Sequence, residues 1–192
     1  MAALECMAEL DPEFFARDTL QVARDLIGVE ISVGKCRGRI VETEAYTTDA
    51  ASHSVMRKNK AALMRETFGH IYVYQSYGVH YCLNFTTERD GTGAVLIRAV
   101  EPLAGLEAMI RRRGVSEPEK LSSGPGKLCQ ALAIGIELNG RPIGREIKLR
   151  SGKHAPIVAQ STRIGITRAV ELEWRFFERG NRFVSRREKS KN

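Results

Sequence analysis

Hydrophobic and polar residues alternate in short runs along much of this chain, a pattern typical of β-strands with one buried face. Residues 29–33 and 39–46 alternate on either side of a glycine-containing turn, which predicts an antiparallel hairpin. A second hairpin is predicted for residues 71–76 and 79–85, where β-branched and aromatic side chains favour strands. Residues 94–100 are apolar apart from one arginine, which predicts a further buried strand.

Apolar residues recur at helical spacing in three other segments. Residues 18–27 begin at Asp18, which can cap the helix, and Gly28 follows as a stop signal. Residues 103–113 and 123–132 are also predicted helices, and the second has a serine and a proline near its start, as helix N-termini prefer. The free amide groups at that start could hold a phosphate.

The remaining segments have weaker patterns. Residues 47–69 show little periodicity and are predicted to form a long connection with a short helical piece at 60–66. Residues 146–150 and 157–166 alternate again, and an aromatic cluster follows at 174–177, so we expect these pieces to be strands of the same sheet.

These elements together predict an antiparallel-rich α+β fold. No repeat and no linker rich in proline, glycine or serine divides the sequence, so we expect a single mixed domain over residues 10–185. Residues 186–192 are mostly charged and are predicted to be a flexible tail.

The most informative feature of the composition is the net charge of the chain. Of the 192 residues, 43% are hydrophobic and 28% charged, which is typical of a globular protein. The net charge of +7 favours nucleic acid as a partner. The apolar runs are far shorter than a membrane span and the start lacks a secretory signal pattern, so we expect a cytoplasmic protein without membrane contact.

Four cysteines are scattered along the chain, with no C-x-x-C pair and no histidine at zinc-binding spacing. They are Cys6, Cys36, Cys82 and Cys129. We therefore expect reduced thiols and no metal site.

Two acids and a phenol share one face of the second predicted strand. Residues two apart on a strand point the same way, so Glu42, Glu44 and Tyr46 project together with Ile40. The opposite face carries Val41 and other residues that suit a core. The acidic face is either a solvated surface or a site for chemistry, and the pattern alone leaves both open.

Other polar residues stand out against their surroundings. Arg98 lies in an apolar strand and therefore requires a carboxylate partner. His53 follows Tyr46 by seven residues in a predicted loop, where a lone histidine is either incidental or part of a site. Tyr77 precedes Gly78 at a hairpin tip, where it is either an exposed turn residue or a wedge that enters a base stack.

Common catalytic motifs are absent from the sequence. It contains no P-loop, no G-x-G-x-x-G, no G-x-S-x-G and no H-E-x-x-H, which argues against phosphotransfer, dinucleotide, serine-hydrolase and zinc-protease chemistry. The remaining candidates are a carboxylate, an arginine and aromatic rings.

Five strings, taken in order and spacing, resemble the alkyladenine (3-methyladenine, alkylpurine) DNA glycosylase family, and the resemblance extends from Phe14 to about Val184. The strings lie at residues 39–46, 72–74, 77–78, 82–84 and 123–132. The resemblance implies a curved antiparallel sheet flanked by helices. It also implies an enzyme that flips damaged purines out of duplex DNA and hydrolyses the N-glycosidic bond.

The resemblance implies a role for each matching residue. Glu44 corresponds to the general base that activates water, and Arg98 to its partner in holding that water and the nucleotide. Tyr46 corresponds to the ring that stacks on the flipped base, with His53 and Tyr74 on the opposite side of the pocket.

Further roles follow from the same resemblance. Tyr77 corresponds to the intercalating residue, and Asn84 to the amide that clashes with the 2-amino group of guanine. Independently of the resemblance, the basic charge of the chain and the neighbouring helix N-terminus lead us to expect that Lys127 contacts the DNA backbone. No lysine occupies a matching catalytic position, so the resemblance implies a monofunctional enzyme that leaves an abasic site. We also expect a monomer that needs no cofactor. Val79 and a short loop before His53 distinguish the chain from mammalian members.

Two other functions remain open at this point. A noncatalytic nucleic-acid-binding module would keep the aromatic tip and the basic surface without hydrolysis. An RNA-binding domain of translation could also use a curved sheet with basic flanks. The presence of Glu44 and Arg98 argues against both.

Overall fold

The computed structural model describes residues 8–56, 61–152 and 154–185, and within them eight strands form one antiparallel sheet. The strands are β1 (Glu30–Val33), β2 (Cys36–Tyr46), β3 (Ile71–Ser76), β4 (His80–Thr87), β5 (Gly93–Ala104), β6 (Ile147–Arg150), β7 (Val158–Ser161) and β8 (Arg175–Glu178). Their spatial order is β3-β4-β5-β2-β1-β6, and β8 pairs with both β2 and β7. The sheet curls into a half-barrel, which confirms the predicted α+β class with a curved antiparallel sheet.

Six α-helices and two 3-10 helices accompany the sheet in the described part of the chain. The α-helices are α1 (Thr19–Asp25), α2 (His53–Met56), α3 (Ala62–Glu66), α4 (Leu106–Arg113), α5 (Pro118–Leu121) and α6 (Pro125–Leu132), and the 3-10 helices cover Pro12–Ala16 and Ile136–Leu138. Helix α1 begins as predicted, because Oδ1 of Asp18 accepts a hydrogen bond from the Gln21 amide at 3.0 Å. Gly28 follows with a φ of +94°, which favours glycine.

Both predicted hairpins are present, since β1 pairs with β2 and β3 pairs with β4. The three strands predicted in the last third of the chain also join the same sheet. One of them is shorter than expected, because β7 ends at Ser161 and residues 162–174 form an irregular loop. This loop connects β7 to β8.

Three helix predictions need correction. Strand β5 runs longer than expected, so α4 begins at Leu106 rather than at residue 103, after Gly105 in a left-handed conformation with a φ of +78°. The cap position of α6 is Gly124, so Ser123 does not cap that helix. Helix α2 falls within the segment that the sequence indicates to be a connection.

The main hydrophobic core lies between the sheet and helices α1, α4 and α6. Its fully buried side chains include Phe15, Leu26, Ile40, Phe85 and Met109. Strands β2 and β5 also bury charged side chains, and these point away from the main core. The two environments are separated by the thickness of the sheet.

Parts of several predictions lie outside the described residues. These parts are the charged tail at 186–192, Lys60 at the start of the piece that contains α3, and Cys6. The domain boundaries at residues 10 and 185 stay a prediction.

Cys36, Cys82 and Cys129 are free and buried. Across the described ranges, no helix combines the length and the apolarity needed to cross a membrane.

Candidate active site

A change of register in β2 brings two acidic side chains to the pocket face of the sheet. Pairing with β5 shifts between Ile40 and Glu42 and again between Glu42 and Thr43. Ile40 packs in the main core, and the Thr43 hydroxyl donates to the carbonyl oxygen of Ala23 in α1 at 2.7 Å. The prediction that Ile40 shares a face with the acids is therefore wrong, because the bulge breaks strict alternation.

Glu44 is fully buried and is held by three donors. Its Oε1 accepts a hydrogen bond from the Ile164 amide at 2.7 Å. Its Oε2 accepts from the Tyr46 hydroxyl at 2.8 Å and from Nη1 of Arg98 at 3.2 Å. A carboxylate has about four acceptor positions, so these contacts leave room for one more donor.

Arg98 joins the two acids from strand β5. Its Nε donates to Oε1 of Glu42 at 3.1 Å, while its Nη1 reaches Glu44. The prediction that this arginine pairs with a carboxylate is confirmed. Because both acids are 0% exposed, the alternative of a solvated acidic face is wrong.

Glu42 is held more tightly than its neighbour. Nε of Arg175 donates to Oε1 of Glu42 at 2.7 Å, and the Ser185 hydroxyl donates to the same oxygen at 2.8 Å. The Ser185 amide donates to Oε2 at 2.6 Å. With Arg98 included, two guanidinium groups neutralise this one carboxylate.

The two acids consequently differ in proton affinity. Burial raises the pKa of the Glu44 carboxyl, and the single guanidinium of Arg98 with two hydrogen bonds offsets only part of that rise. Burial alone would also raise the pKa of Glu42, but Arg98, Arg175 and the Ser185 amide outweigh it and hold that pKa below its usual range. Of the two acids, Glu44 is therefore the one that takes up a proton more readily.

A pocket of about 570 Å³ lies beside this cluster. Its wall contains five aromatic rings, together with polar groups and part of the loop before β8. The rings are those of Tyr46, His53, Tyr72, Tyr74 and Tyr77, and the other lining residues include Asn84, Arg98 and the segment 164–168. Glu44 lies directly behind two lining side chains, those of Tyr46 and Arg98.

The rings of His53, Tyr72 and Tyr74 form one compact group. Nδ1 of His53 lies 2.8 Å from the Tyr72 hydroxyl, and its ring packs edge-on against Tyr74 with centroids 4.4 Å apart. His53 is the first residue of α2 rather than a loop residue. The structure thus brings His53, Tyr46 and Tyr74 to one pocket, while their opposite placement around a base stays a prediction.

Tyr77 occupies the tip of the β3–β4 hairpin at the edge of the pocket. Tyr77 and Gly78 have φ values of +50° and +71°, as a type I′ turn requires. The side chain of Tyr77 is 90% exposed and Val79 beside it is 71% exposed. A strained tyrosine without core contacts at a pocket rim is suited to contact a partner.

Similarity to known proteins identifies the family of this chain. The sequence profile of the methylpurine-DNA glycosylase family matches residues 13–182. The chain belongs to this family. The resemblance expected from the sequence is thereby confirmed.

Relatives of this glycosylase family match nearly the whole chain. A protein of Agrobacterium fabrum is 48% identical over 184 residues, which are 93% of each chain. One of Rhizobium meliloti is 50% identical over 182 residues, 92% of this chain and 96% of the relative. One of Methanoculleus marisnigri is 45% identical over 190 residues, 93% of this chain and 99% of the relative. Each is provisionally named a 3-methyladenine DNA glycosylase.

Of two further residues predicted to act in a glycosylase, Asn84 lines the pocket and Lys127 does not. Asn84 lines the pocket, where its Nδ2 donates to the carbonyl oxygens of Tyr72 at 3.0 Å and Cys82 at 3.3 Å, so its amide orientation is fixed. Lys127 is exposed on α6 and the structure does not bring it into the pocket, although Pro125 of the same helix reaches the wall. A backbone contact by Lys127 stays a prediction.

Sequence reasoning missed part of the glycosylase site in residues 162–174. The amide of Ile164 binds Glu44, and the guanidinium of Arg163 lies against the Tyr46 ring. The alternating pattern of residues 157–166 indicates a strand, and a backbone amide carries no sequence signal. A buried arginine in a polar-looking segment could only have been found from the structure.

Proposed function

We propose that this protein removes alkylated or deaminated purines from duplex DNA and leaves an abasic site. The substrate class includes 3-methyladenine, 7-methylguanine, hypoxanthine and ethenoadenine. The arrangement that carries this proposal is a buried carboxyl group, Glu44, directly behind an aromatic pocket that opens beside an exposed tyrosine. We expect the protein to act as a monomer in the cytoplasm.

The pocket suits a purine that has left the base stack. A glycosylase cannot reach C1′ of a stacked nucleotide, so the nucleotide must rotate out of the duplex. The pocket volume of about 570 Å³ lies within the range of roughly 300–1,000 Å³ typical of small-ligand sites. Tyr46 and the group of His53 and Tyr74 offer aromatic faces on which a purine can stack.

Glu44 is suited to activate water. In the proposed step its carboxylate takes a proton from water, the water oxygen bonds to C1′, and the bond from C1′ to the purine nitrogen breaks. The electron pair of that bond leaves with the base. A purine methylated at N3 or N7 is positively charged, so this electron pair neutralises it. Arg98 favours the ionised form of Glu44 before the step and holds the carboxylate in place.

Tyr77 is suited to fill the space that the flipped nucleotide leaves. It stands exposed at a hairpin tip, and an aromatic ring that enters the stack offsets part of the unstacking energy. Tyr77→Ala should lower lesion flipping by about tenfold or more, since stacking contributes about 1–3 kcal/mol. A fluorescent base at the lesion measures flipping, and thermal stability should not change because the side chain is exposed. Equal flipping by the variant would exclude this role.

Release of free base is the direct test of the function. The protein is incubated with a duplex carrying hypoxanthine or 7-methylguanine, with an undamaged duplex and a matched RNA as controls. We expect free base only from damaged DNA, and strand cleavage only after alkali, as for a monofunctional glycosylase. Lesion binding without any base release would instead indicate a noncatalytic binding module.

A further inference from the structure

Arg163 is a charged residue with no place in the mechanism above, and its side chain is 0% exposed. It lies in the loop between β7 and β8. Nη1 donates to the carbonyl oxygen of Ala45 at 2.9 Å. Nη2 donates to Oδ1 of Asp49 at 2.7 Å and to the carbonyl oxygen of Ala169 at 3.4 Å.

Two aromatic rings enclose the same guanidinium. Its central carbon lies 4.6 Å from the centroid of Tyr46 and 5.1 Å from the centroid of Trp174. The face of Tyr46 towards Arg163 is therefore occupied, which leaves the other face for a base. A cation over an aromatic face is attracted to it, more strongly when water is excluded.

Arg163 is connected to both neutral donors that bind Glu44. Tyr46, the ring that it stacks on, donates its hydroxyl to Oε2 of Glu44. Ile164, the next residue in the chain, donates its amide to Oε1. Displacement of the guanidinium would therefore move two of the three groups that hold the carboxylate.

The same arginine also reaches the other wall of the pocket. Its partner Asp49 accepts from the amides of Thr47 at 3.2 Å and Ala51 at 2.9 Å, and so orders the turn that leads into α2. His53 is the first residue of that helix. The Arg163–Asp49 pair thus joins the Tyr46 wall to the His53 wall.

We propose that Arg163 is a positioning residue, which sets the Tyr46 ring and the Ile164 amide against Glu44 and fixes the width of the base pocket. This role rests on the proposed function of Glu44 as the general base. A planar guanidinium is required, because it donates in two directions while two aromatic rings lie against it. Burying a guanidinium costs more free energy than burying an apolar side chain of similar volume. This argues that Arg163 serves the geometry of the site rather than the stability of the fold.

Loss of this positioning should change the pH dependence of the reaction. Glu44 faces Arg98 on β5 and Glu42 and Tyr46 on β2, and it also interacts with Tyr74 on β3 and Cys82 on β4. Removing Arg163 leaves these groups in the protein but weakens the two neutral hydrogen bonds to Glu44. Those bonds favour the carboxylate, so the acid limb of the rate profile should move to higher pH.

The test uses Arg163→Met and Arg163→Lys in the full chain. We expect Arg163→Met to slow single-turnover base release by about 100-fold, the effect of misplacing reacting groups by about 1 Å. Arg163→Lys keeps the charge but not the planar fork, so we expect only partial recovery. Both should shift the acid limb upward. If Arg163→Met folds poorly, Asp49→Asn serves as a milder variant. It should move the acid limb in the same direction.

Trp174 provides a readout that does not depend on activity, since it is the only tryptophan in the sequence. Its emission should change in Arg163→Met in the absence of DNA. Arg39→Met is the control, because it removes another arginine that is paired with carboxylates, but one that is partly exposed, lies on β2 and is outside the pocket. We expect it to keep the wild-type emission and acid limb.

The outcomes separate this role from the proposed function. A wild-type protein that releases no base from any lesion duplex overturns the function itself. Wild-type release combined with an unchanged rate, acid limb and Trp174 emission in Arg163→Met overturns only the positioning role. A slower rate with an unchanged acid limb would show a purely structural residue and would also overturn it.

Discussion

Two charged clusters lie along strand β2, and both contain arginine and glutamate side chains. The pocket cluster consists of Glu42, Glu44, Arg98 and Arg175. The edge cluster consists of Arg39, Glu101, His154 and Glu178. The pocket cluster is almost completely buried, whereas side chains of the edge cluster remain exposed by between 11% for Glu178 and 50% for His154.

The difference shows that burial, rather than residue type, decides what such a cluster can do. Two charges 4 Å apart interact by about 1 kcal/mol in water and by about 4 kcal/mol near a protein surface. In the pocket cluster, burial raises the pKa of Glu44 more than Arg98 lowers it, whereas Arg98, Arg175 and the Ser185 amide together outweigh burial and lower the pKa of Glu42. Proton transfer needs such a separation. The edge cluster, which is partly open to water, joins strands β2, β5 and β8.

Replacement of Glu44 is expected to have the largest effect on function. Glu44→Gln keeps the shape and removes the base, so base release should fall by about 10³-fold, or roughly 4 kcal/mol of activation free energy. Lesion binding should survive, because flipping and stacking do not use this charge. Single-turnover rates and a gel-shift assay measure the two properties.

Glu101→Gln in the edge cluster is the matched control for this substitution and should release base at the wild-type rate. If Glu44→Gln retains more than about a tenth of the wild-type rate, the barrier has risen by less than roughly 1.4 kcal/mol. Glu44 would then not be the general base.

Replacing one arginine in each cluster should lower the stability of the protein by different amounts. Arg98→Met leaves two buried acids without their shared cation, so the free energy of unfolding should fall by about 3 kcal/mol or more. Arg39→Met should lose about 1 kcal/mol, since water can reach Glu101 and Glu178. Urea unfolding measures both, and equal losses would contradict the contrast between the clusters.

The two acids of the pocket cluster should respond to pH with opposite signs. Because the pKa of Glu42 is lowered by folding, its contribution to stability is present above its usual pKa and is lost as pH falls through the lowered value. The raised pKa of Glu44 gives the reverse: its contribution is present in acid and is lost as pH rises through the raised value. The effect is at most about 1.4 kcal/mol per pH unit for one group.

Stability as a function of pH in two variants checks this. Glu42→Gln should flatten the loss of stability in acid, whereas Glu44→Gln should steepen it. The wild-type rate of base release should fall as Glu44 takes up a proton, with an acid limb above the usual range of a glutamate. Identical pH profiles for the two variants would show that the acids are equivalent.

The sequence predicted the sheet better than the site, for a physical reason. Strands such as β3 and β4 follow from local alternation and a Tyr-Gly turn, which act over neighbouring residues. The pairing of Arg98 with an acid followed from its apolar surroundings. The bulge that moves Ile40 away from Glu42 depends on how β2 pairs with β5 and β8, and no local pattern specifies it.

Long-range contacts account for the remaining gaps in the prediction. The Ile164 amide and Arg163 lie about 120 residues after Glu44 in the chain and reach it only because β8 pairs with β2. Tyr46, His53 and Tyr74 were identified through the family resemblance, and the structure shows that they line one pocket. Their individual roles around a base remain predictions.

The smallest expected effect belongs to the most exposed member of the edge cluster. Nε2 of His154 lies 2.7 Å from Oε1 of Glu178, but half of the histidine side chain is in contact with water. In His154→Gln, water or the new amide can replace that hydrogen bond, so stability should change by less than about 1 kcal/mol. Base release should stay at the wild-type rate, because Glu178 remains paired with Arg39. Urea unfolding and single-turnover rates measured in parallel check both points. A loss of stability as large as that of Arg98→Met would mean that the edge cluster is shielded from water in solution, and burial would no longer distinguish the two clusters.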